Sequence, residues 1–146
     1  MKKQAHTMIA MFVLVGSMAI AAQAQSGPTR LIANIPFQFN VGNKTLPAGE
    51  YSVRQVNPDS DHAVLQLRSK DGNAGGLIQV DSVIGTAPEG AKLTFHRYGN
   101  KYFFAQAWID GDNTGMQAPR SKAERAAESE LAGLQPKTAT VALRAR

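Results

Sequence analysis

The sequence predicts a mainly β fold: an antiparallel β-sandwich or small barrel of about six to seven strands, followed by one C-terminal α-helix. Three observations carry that expectation. Apolar and polar side chains alternate with period two in successive stretches between residues 31 and 109, clusters of Gly, Pro, Asn and Asp separate the stretches, and after Pro119 the apolar spacing turns helical. Strands joined by short links pair as neighbours, so the expected sheet is an antiparallel meander.

Leu31, Ala33, Ile35, Phe37, Phe39 and Val41 hold successive odd positions, with Asn34, Gln38 and Asn40 between them, which gives the first strand one buried face. Pro36 lies inside it and has no amide to donate, so that point belongs at an edge or a bulge. Gly42-Asn43-Lys44 turns the chain, and Leu46-Pro47-Ala48-Gly49 leads into a second strand with Tyr51 and Val53 inward. Asn57-Pro58-Asp59-Ser60-Asp61 is rich in turn formers. In the third strand Ala63, Leu65 and Leu67 alternate with Gln66 and Arg68, up to the hairpin signal Lys70-Asp71-Gly72-Asn73. A fourth, less regular strand covers Leu77 to Ile84 and is broken by Gly85 to Gly90. The fifth, Ala91 to Tyr98, sets Leu93 and Phe95 against Lys92, Thr94 and His96. Gly99-Asn100 turns it into the sixth, Lys101 to Ile109, and Asp110 to Gly115 ends the sheet.

Beyond Pro119, Ser121-Lys122-Ala123-Glu124 has the form of a capping box, in which each of the two outer side chains satisfies an amide of the first helical turn. Ala123, Ala126, Ala127 and Leu131 fall at helical spacing, and Gly133 with Pro136 supplies the stop. Thr138 to Leu143 alternates weakly, the pattern of either a last edge strand or a disordered tail. The chain thus divides into a signal peptide at 1–24, an antiparallel β-domain at 25–119, and a C-terminal amphipathic helix with a basic tail at 120–146.

The first segment reads as an export signal: Lys2 and Lys3 open it, Met8 to Ala22 run apolar, and Ala22-Gln23-Ala24 places small residues where a signal peptidase cuts. The run is shorter than the roughly 20 residues of a spanning helix, and no second run follows, so no transmembrane segment is expected after signal removal. Processing would leave 14 basic residues against 11 acidic ones. Residues 25–119 are balanced at eight and eight, whereas residues 120–146 hold six basic and three acidic ones. A nucleic-acid partner is not expected, because nothing in the body gathers positive charge on one face. Cysteine is absent, which excludes disulfide staples, a thiol nucleophile and a Cys-ligated metal.

Pro36-Phe37-Gln38-Phe39-Asn40-Val41-Gly42, then Leu46-Pro47-Ala48-Gly49-Glu50-Tyr51, then Phe95-His96-Arg97-Tyr98-Gly99 with Tyr102-Phe103, resemble the motifs of a family of small exported bacterial β-domain proteins of uncharacterised activity. The Ser121-Lys122-Ala123-Glu124-Arg125 helix start is similar to that family's as well. The resemblance covers most of residues 31 to 125. It implies a signal peptide and a compact β-domain with a C-terminal helix, and it implies no activity.

Chemistry-bearing patterns are few. Asp110, Asp112 and Thr114, with Gly115 next, resemble the opening of a calcium loop, but the twelfth position is Ser121 instead of Glu and the loop follows a strand. His62 and His96, the two histidines of the mature chain, read as solvated surface residues. There is no Gly-x-Ser-x-Gly elbow and no His-Glu-x-x-His spacing, so catalysis has no support and no cofactor is implied. Period two places Tyr102, Phe104 and Trp108 on one face of the sixth strand, as a platform on which a sugar ring or apolar ligand could stack. The functional expectation is an exported, non-catalytic binding or structural module of the cell envelope, periplasmic or extracellular. Its partner would be an envelope component or polysaccharide. A carbohydrate-binding module using that aromatic face, or a hydrolase of unknown class, is the alternative. An outer-membrane barrel is disfavoured because those start at eight strands and only about six are visible.

Overall fold

The computed structural model describes residues 30–58, 60, 62–131 and 135–146. The expected signal peptide at 1–24 lies outside the described residues, as do Asp59 and Asp61 of the first long turn and Gly133 of the helix stop. In chain order the elements are β1 (Leu31–Ile35), β2 (Phe39–Val41), β3 (Lys44–Leu46), β4 (Gly49–Gln55), β5 (Ala63–Ser69), β6 (Gly75–Ile84), β7 (Lys92–Tyr98), β8 (Lys101–Trp108), β9 (Thr114–Gln117), α1 (Lys122–Glu130) and β10 (Lys137–Ala145). Eight of these strands close on themselves in the order β1-β4-β5-β6-β9-β8-β7-β10, and every pairing around the ring is antiparallel. The mainly β class with one helix therefore holds, in the form of a closed barrel with more strands than the six or seven expected.

The extra strands have identifiable origins. Pro36 ends β1 instead of bulging it, and the chain resumes as the short β2–β3 hairpin. Thr114-Gly115-Met116-Gln117 lacks any alternation in its sequence, yet pairs with both β6 and β8 as β9. The weakly alternating C-terminal segment is neither an edge nor a tail. As β10 it runs between β1 and β7, with Leu143 opposite Ala33 and Val141 opposite Leu93, and it closes the ring. Because β9 is only four residues long, it meets β6 over Asp81–Ile84 and β8 over Gln106–Ala107, so the other halves of β6 and β8 need a different cover. The β2–β3 hairpin supplies it. Asn40 pairs with Phe103 of β8, and Val41 lies 3.3 Å from where a Cβ on Gly76 of β6 would stand.

An eight-stranded barrel leaves an interior just wide enough for side chains to fill. Here Ala33, Ile35, Tyr51, Val53, Leu65, Leu67, Leu93, Phe95, Phe104, Val141 and Leu143 form one buried cluster with Phe39 and Leu46 of the hairpin. Phe95 lies at its centre, edge-on to Phe37 at 5.2 Å, Phe39 at 5.5 Å and Phe104 at 6.0 Å. Replacing a phenylalanine so enclosed by alanine costs about 3–5 kcal/mol. Strands β4 and β5 turn Ser52, Arg54, Gln66 and Arg68 outward. Apolar inside and polar outside is the reverse of a lipid-embedded barrel, whose outer band is apolar. With eight strands in the ring, the strand count no longer argues against such a barrel, and this pattern does. Among the described residues no helix is long and apolar enough to cross a membrane.

Helix α1 packs on the outer wall of β7 and β8. Ser121 caps it, its hydroxyl accepting from the Glu124 amide at 3.1 Å. Ala127 and Leu131 cover Tyr98 and Phe103, whereas Ala123 and Ala126 stay exposed, so the apolar stripe that packs is narrower than the alanine spacing predicts.

Candidate functional site

Strand β8 does not carry an aromatic platform. Opposite β7, Phe104 pairs with Phe95 and Gln106 with Thr94, which leaves Ala105 as an unpaired extra residue, a β-bulge. The bulge reverses the alternation halfway along the strand. Tyr102 and Phe104 precede it and join the interior cluster, whereas Trp108 follows it and lies on the same side as Gln106, whose amide oxygen accepts from the indole Nε1 at 3.0 Å. Phe104 is 3 % exposed and Trp108 8 %. Tyr102 is closed on both faces, by Phe37 stacked at 3.8 Å and by the Arg97 guanidinium at 5.4 Å. The expectation that these three rings share one face of the strand is therefore corrected, and the reason is a one-residue register shift that period two does not reveal.

The Asp110–Thr114 segment is a turn between β8 and β9. Asp110 accepts from the Gly90 amide at 2.8 Å and Asp112 from the Thr114 amide at 2.8 Å, while the Thr114 hydroxyl faces Asn113. These carboxylates fix the turn and its neighbouring loop. Among the described residues no group of three His, Cys, Asp or Glu side chains is placed to hold a metal ion.

His62 is exposed, but His96 is not the solvated side chain that the sequence predicts. Its Nδ1 lies 2.6 Å from Oε1 of Glu124, and the same oxygen accepts from the Tyr98 hydroxyl at 3.2 Å. Glu124 is 3 % exposed. The capping box is thus only half formed: Ser121 caps the helix, while the glutamate turns toward the barrel wall and fastens α1 to β7. Burial, then the Glu124 charge, raises the Tyr98 phenol above its usual range.

The feature that the sequence conceals lies on the outer face of β10, β1, β4 and β5. Register aligns the outward positions of these strands into rungs. One rung runs Arg144, Ile32, Ser52, Arg68. On one side of it lie Arg146, Arg30 and Arg54, with Gln66 accepting from the Arg54 guanidinium at 2.7 Å. On the other lies Glu50, 3.6 Å from Lys70 and 3.9 Å from Arg144. Six cations and one carboxylate, joined by Asp71 at the rim, therefore occupy three adjacent rungs. A groove of about 290 Å³ between them is lined by Arg30, Ile32, Ser52, Arg68, Lys70 and Arg146, together with the carboxylates Glu50 and Asp71. The expectation that no face of the body concentrates positive charge is overturned, because β10 carries Arg144 and Arg146 in beside Arg30, Arg54 and Arg68. Like charges on neighbouring strands cost stability, so the face is not explained by folding alone. The signal that could have found it is the outward phase of the third strand, read together with the basic C-terminal residues once these are accepted as a strand.

Compared with protein-family models, with curated proteins and with solved structures, the chain matches none.

Proposed function

We propose that this chain is an exported, non-catalytic binding module of the cell envelope, periplasmic or extracellular, and that it holds an anionic envelope component on the outer face of β10, β1, β4 and β5. The export half of this reading rests on Lys2, Lys3, the apolar run Met8 to Ala22 and the Ala22-Gln23-Ala24 cleavage signal. The observation that carries the binding half is the placing of Arg30, Arg54, Arg68, Lys70, Arg144 and Arg146 on three neighbouring rungs of one wall.

Five of the six cations are arginines, whose planar fork meets phosphate and carboxylate oxygens in pairs. The outward positions of these strands carry no aromatic ring, so neither base stacking nor sugar stacking is on offer there, and recognition rests on charge. The interior of the barrel is filled with side chains, which leaves the outer wall as the binding surface.

The test is retention of the exported protein on a matrix bearing polyphosphate. Retention that falls steeply between about 50 and 200 mM salt is the expected result. An Arg68→Glu/Arg144→Glu variant should wash through while keeping its circular dichroism spectrum. Equal retention of the two proteins would refute the assignment of the face. Mass analysis of the exported chain should show Gln25 as its first residue.

A further inference from the structure

Resting on that reading and deepening it, we infer that the anionic component is the headgroup layer of a lipid bilayer, on which the barrel lies by its basic wall. Exposed aliphatic side chains border the cations. Continuing along the same outer face, the rung of Arg54 and Gln66 ends at Leu77 of β6, which is 62 % exposed. The next rung is Val56 opposite Val64, joined by the Val56 amide to the Val64 carbonyl at 2.8 Å, and Val56 is 47 % exposed. Val64 lies diagonally across the β5–β6 pair from Leu77, so the three aliphatic side chains form one strip beside Arg54.

A soluble acidic polymer gains nothing from such a strip. At a bilayer surface, cations stay among phosphates while aliphatic side chains enter the boundary between headgroups and acyl chains, and the two contributions add. The juxtaposition of a six-cation wall with exposed Val56 and Leu77 is the pattern that an anionic membrane surface complements. Glu50, at one side of the wall, lies between Lys70 and Arg144 and offsets their mutual repulsion.

The experiment is co-sedimentation of the exported protein with vesicles of three parts phosphatidylcholine to one part phosphatidylglycerol, beside vesicles of phosphatidylcholine alone and beside soluble polyphosphate. Binding to the phosphatidylglycerol vesicles only is expected. Arg68→Gln/Arg144→Gln should weaken it roughly 30-fold. Leu77→Ser should weaken it about tenfold while leaving polyphosphate binding unchanged. Lys101→Gln/Lys122→Gln, which removes as much charge from the opposite wall, should have little effect. Binding to polyphosphate without binding to vesicles, or vesicle binding indifferent to Leu77→Ser, would overturn the membrane inference and leave the anion-binding reading in place. Failure to bind either would overturn both.

Discussion

Replacing Gly115 by alanine tests the bulged course of β8 through the one tryptophan of the chain. Gly115 lies in β9 with its backbone outside the left-handed region, and a Cβ there would stand 2.8 Å from three atoms of the Trp108 ring. Gly85 backs the ring from another direction, a Cβ on it falling 2.5 Å from the ring edge, so the indole cannot slide away without meeting backbone. Overpacking of this kind costs about 1–3 kcal/mol. At roughly 4 °C per kcal/mol for a chain of this size, the melting temperature should fall by about 4–12 °C. Without Trp108 in that place the sign reverses, because alanine in an extended backbone restricts the unfolded chain and stabilises by about 0.4–1 kcal/mol. Thermal unfolding followed by circular dichroism reads the sign and size of the stability change, and Trp108 emission reads the surroundings of the ring. The native protein should emit as a buried indole without any ligand, and Gly115→Ala should shift that emission to the red. A Gly115→Ala protein as stable as the native one, with unchanged emission, would refute the placement of Trp108 and the bulge that produces it.

The Tyr98 and Tyr51 phenols are both raised from the ordinary 10.0, in each case by burial first and then by a neighbouring carboxylate, Glu124 and Asp71 respectively. The folded state thus favours the protonated form, so the stability it lends is intact below pH 10 and lost as pH rises through the raised values. The melting temperature should fall on the alkaline side, less steeply in Tyr98→Phe. Glu124→Ala, which strips His96 and Tyr98 of their shared acceptor, should cost about 1–3 kcal/mol in chemical denaturation, and an unchanged midpoint would show that α1 is not fastened there. Ser121→Ala removes the helix cap and should cost about 1 kcal/mol in the same assay.

Much of the barrel is legible in the sequence because one buried face imposes strict alternation. Tyr51 and Val53, Leu65 and Leu67, and Leu93 and Phe95 all lie inward as their spacing predicts. What escapes is whatever breaks the period without a Gly or Pro to mark it. The bulge at Ala105 is bounded by Phe104 and Gln106, neither of which signals an extra residue, and so the second half of β8 takes the opposite phase from the one predicted. Strand β9 is set by its two neighbours, not by its own residues, and β10 reads weakly because Thr138, Thr140 and Ala142 are the outward set of a strand whose inward residues are small until Val141. The cationic wall is hidden for a related reason. Its members lie on β1, β4, β5 and β10 or beside them, each unremarkable on its own strand, and only the closing of the ring by β10 gathers them. The sequence does specify the Ser121 cap, yet it assigns Glu124 to the helix when the side chain serves the barrel.

Binding of anions by the cationic wall is measured most directly by the salt dependence of polyphosphate binding by the exported protein, taken as the slope of log affinity against log salt concentration. Four to six engaged cations predict a slope of roughly −3 to −4, reduced in magnitude by about 1.4 in Arg68→Gln/Arg144→Gln. A slope near zero, or one that this double variant leaves unchanged, would contradict it.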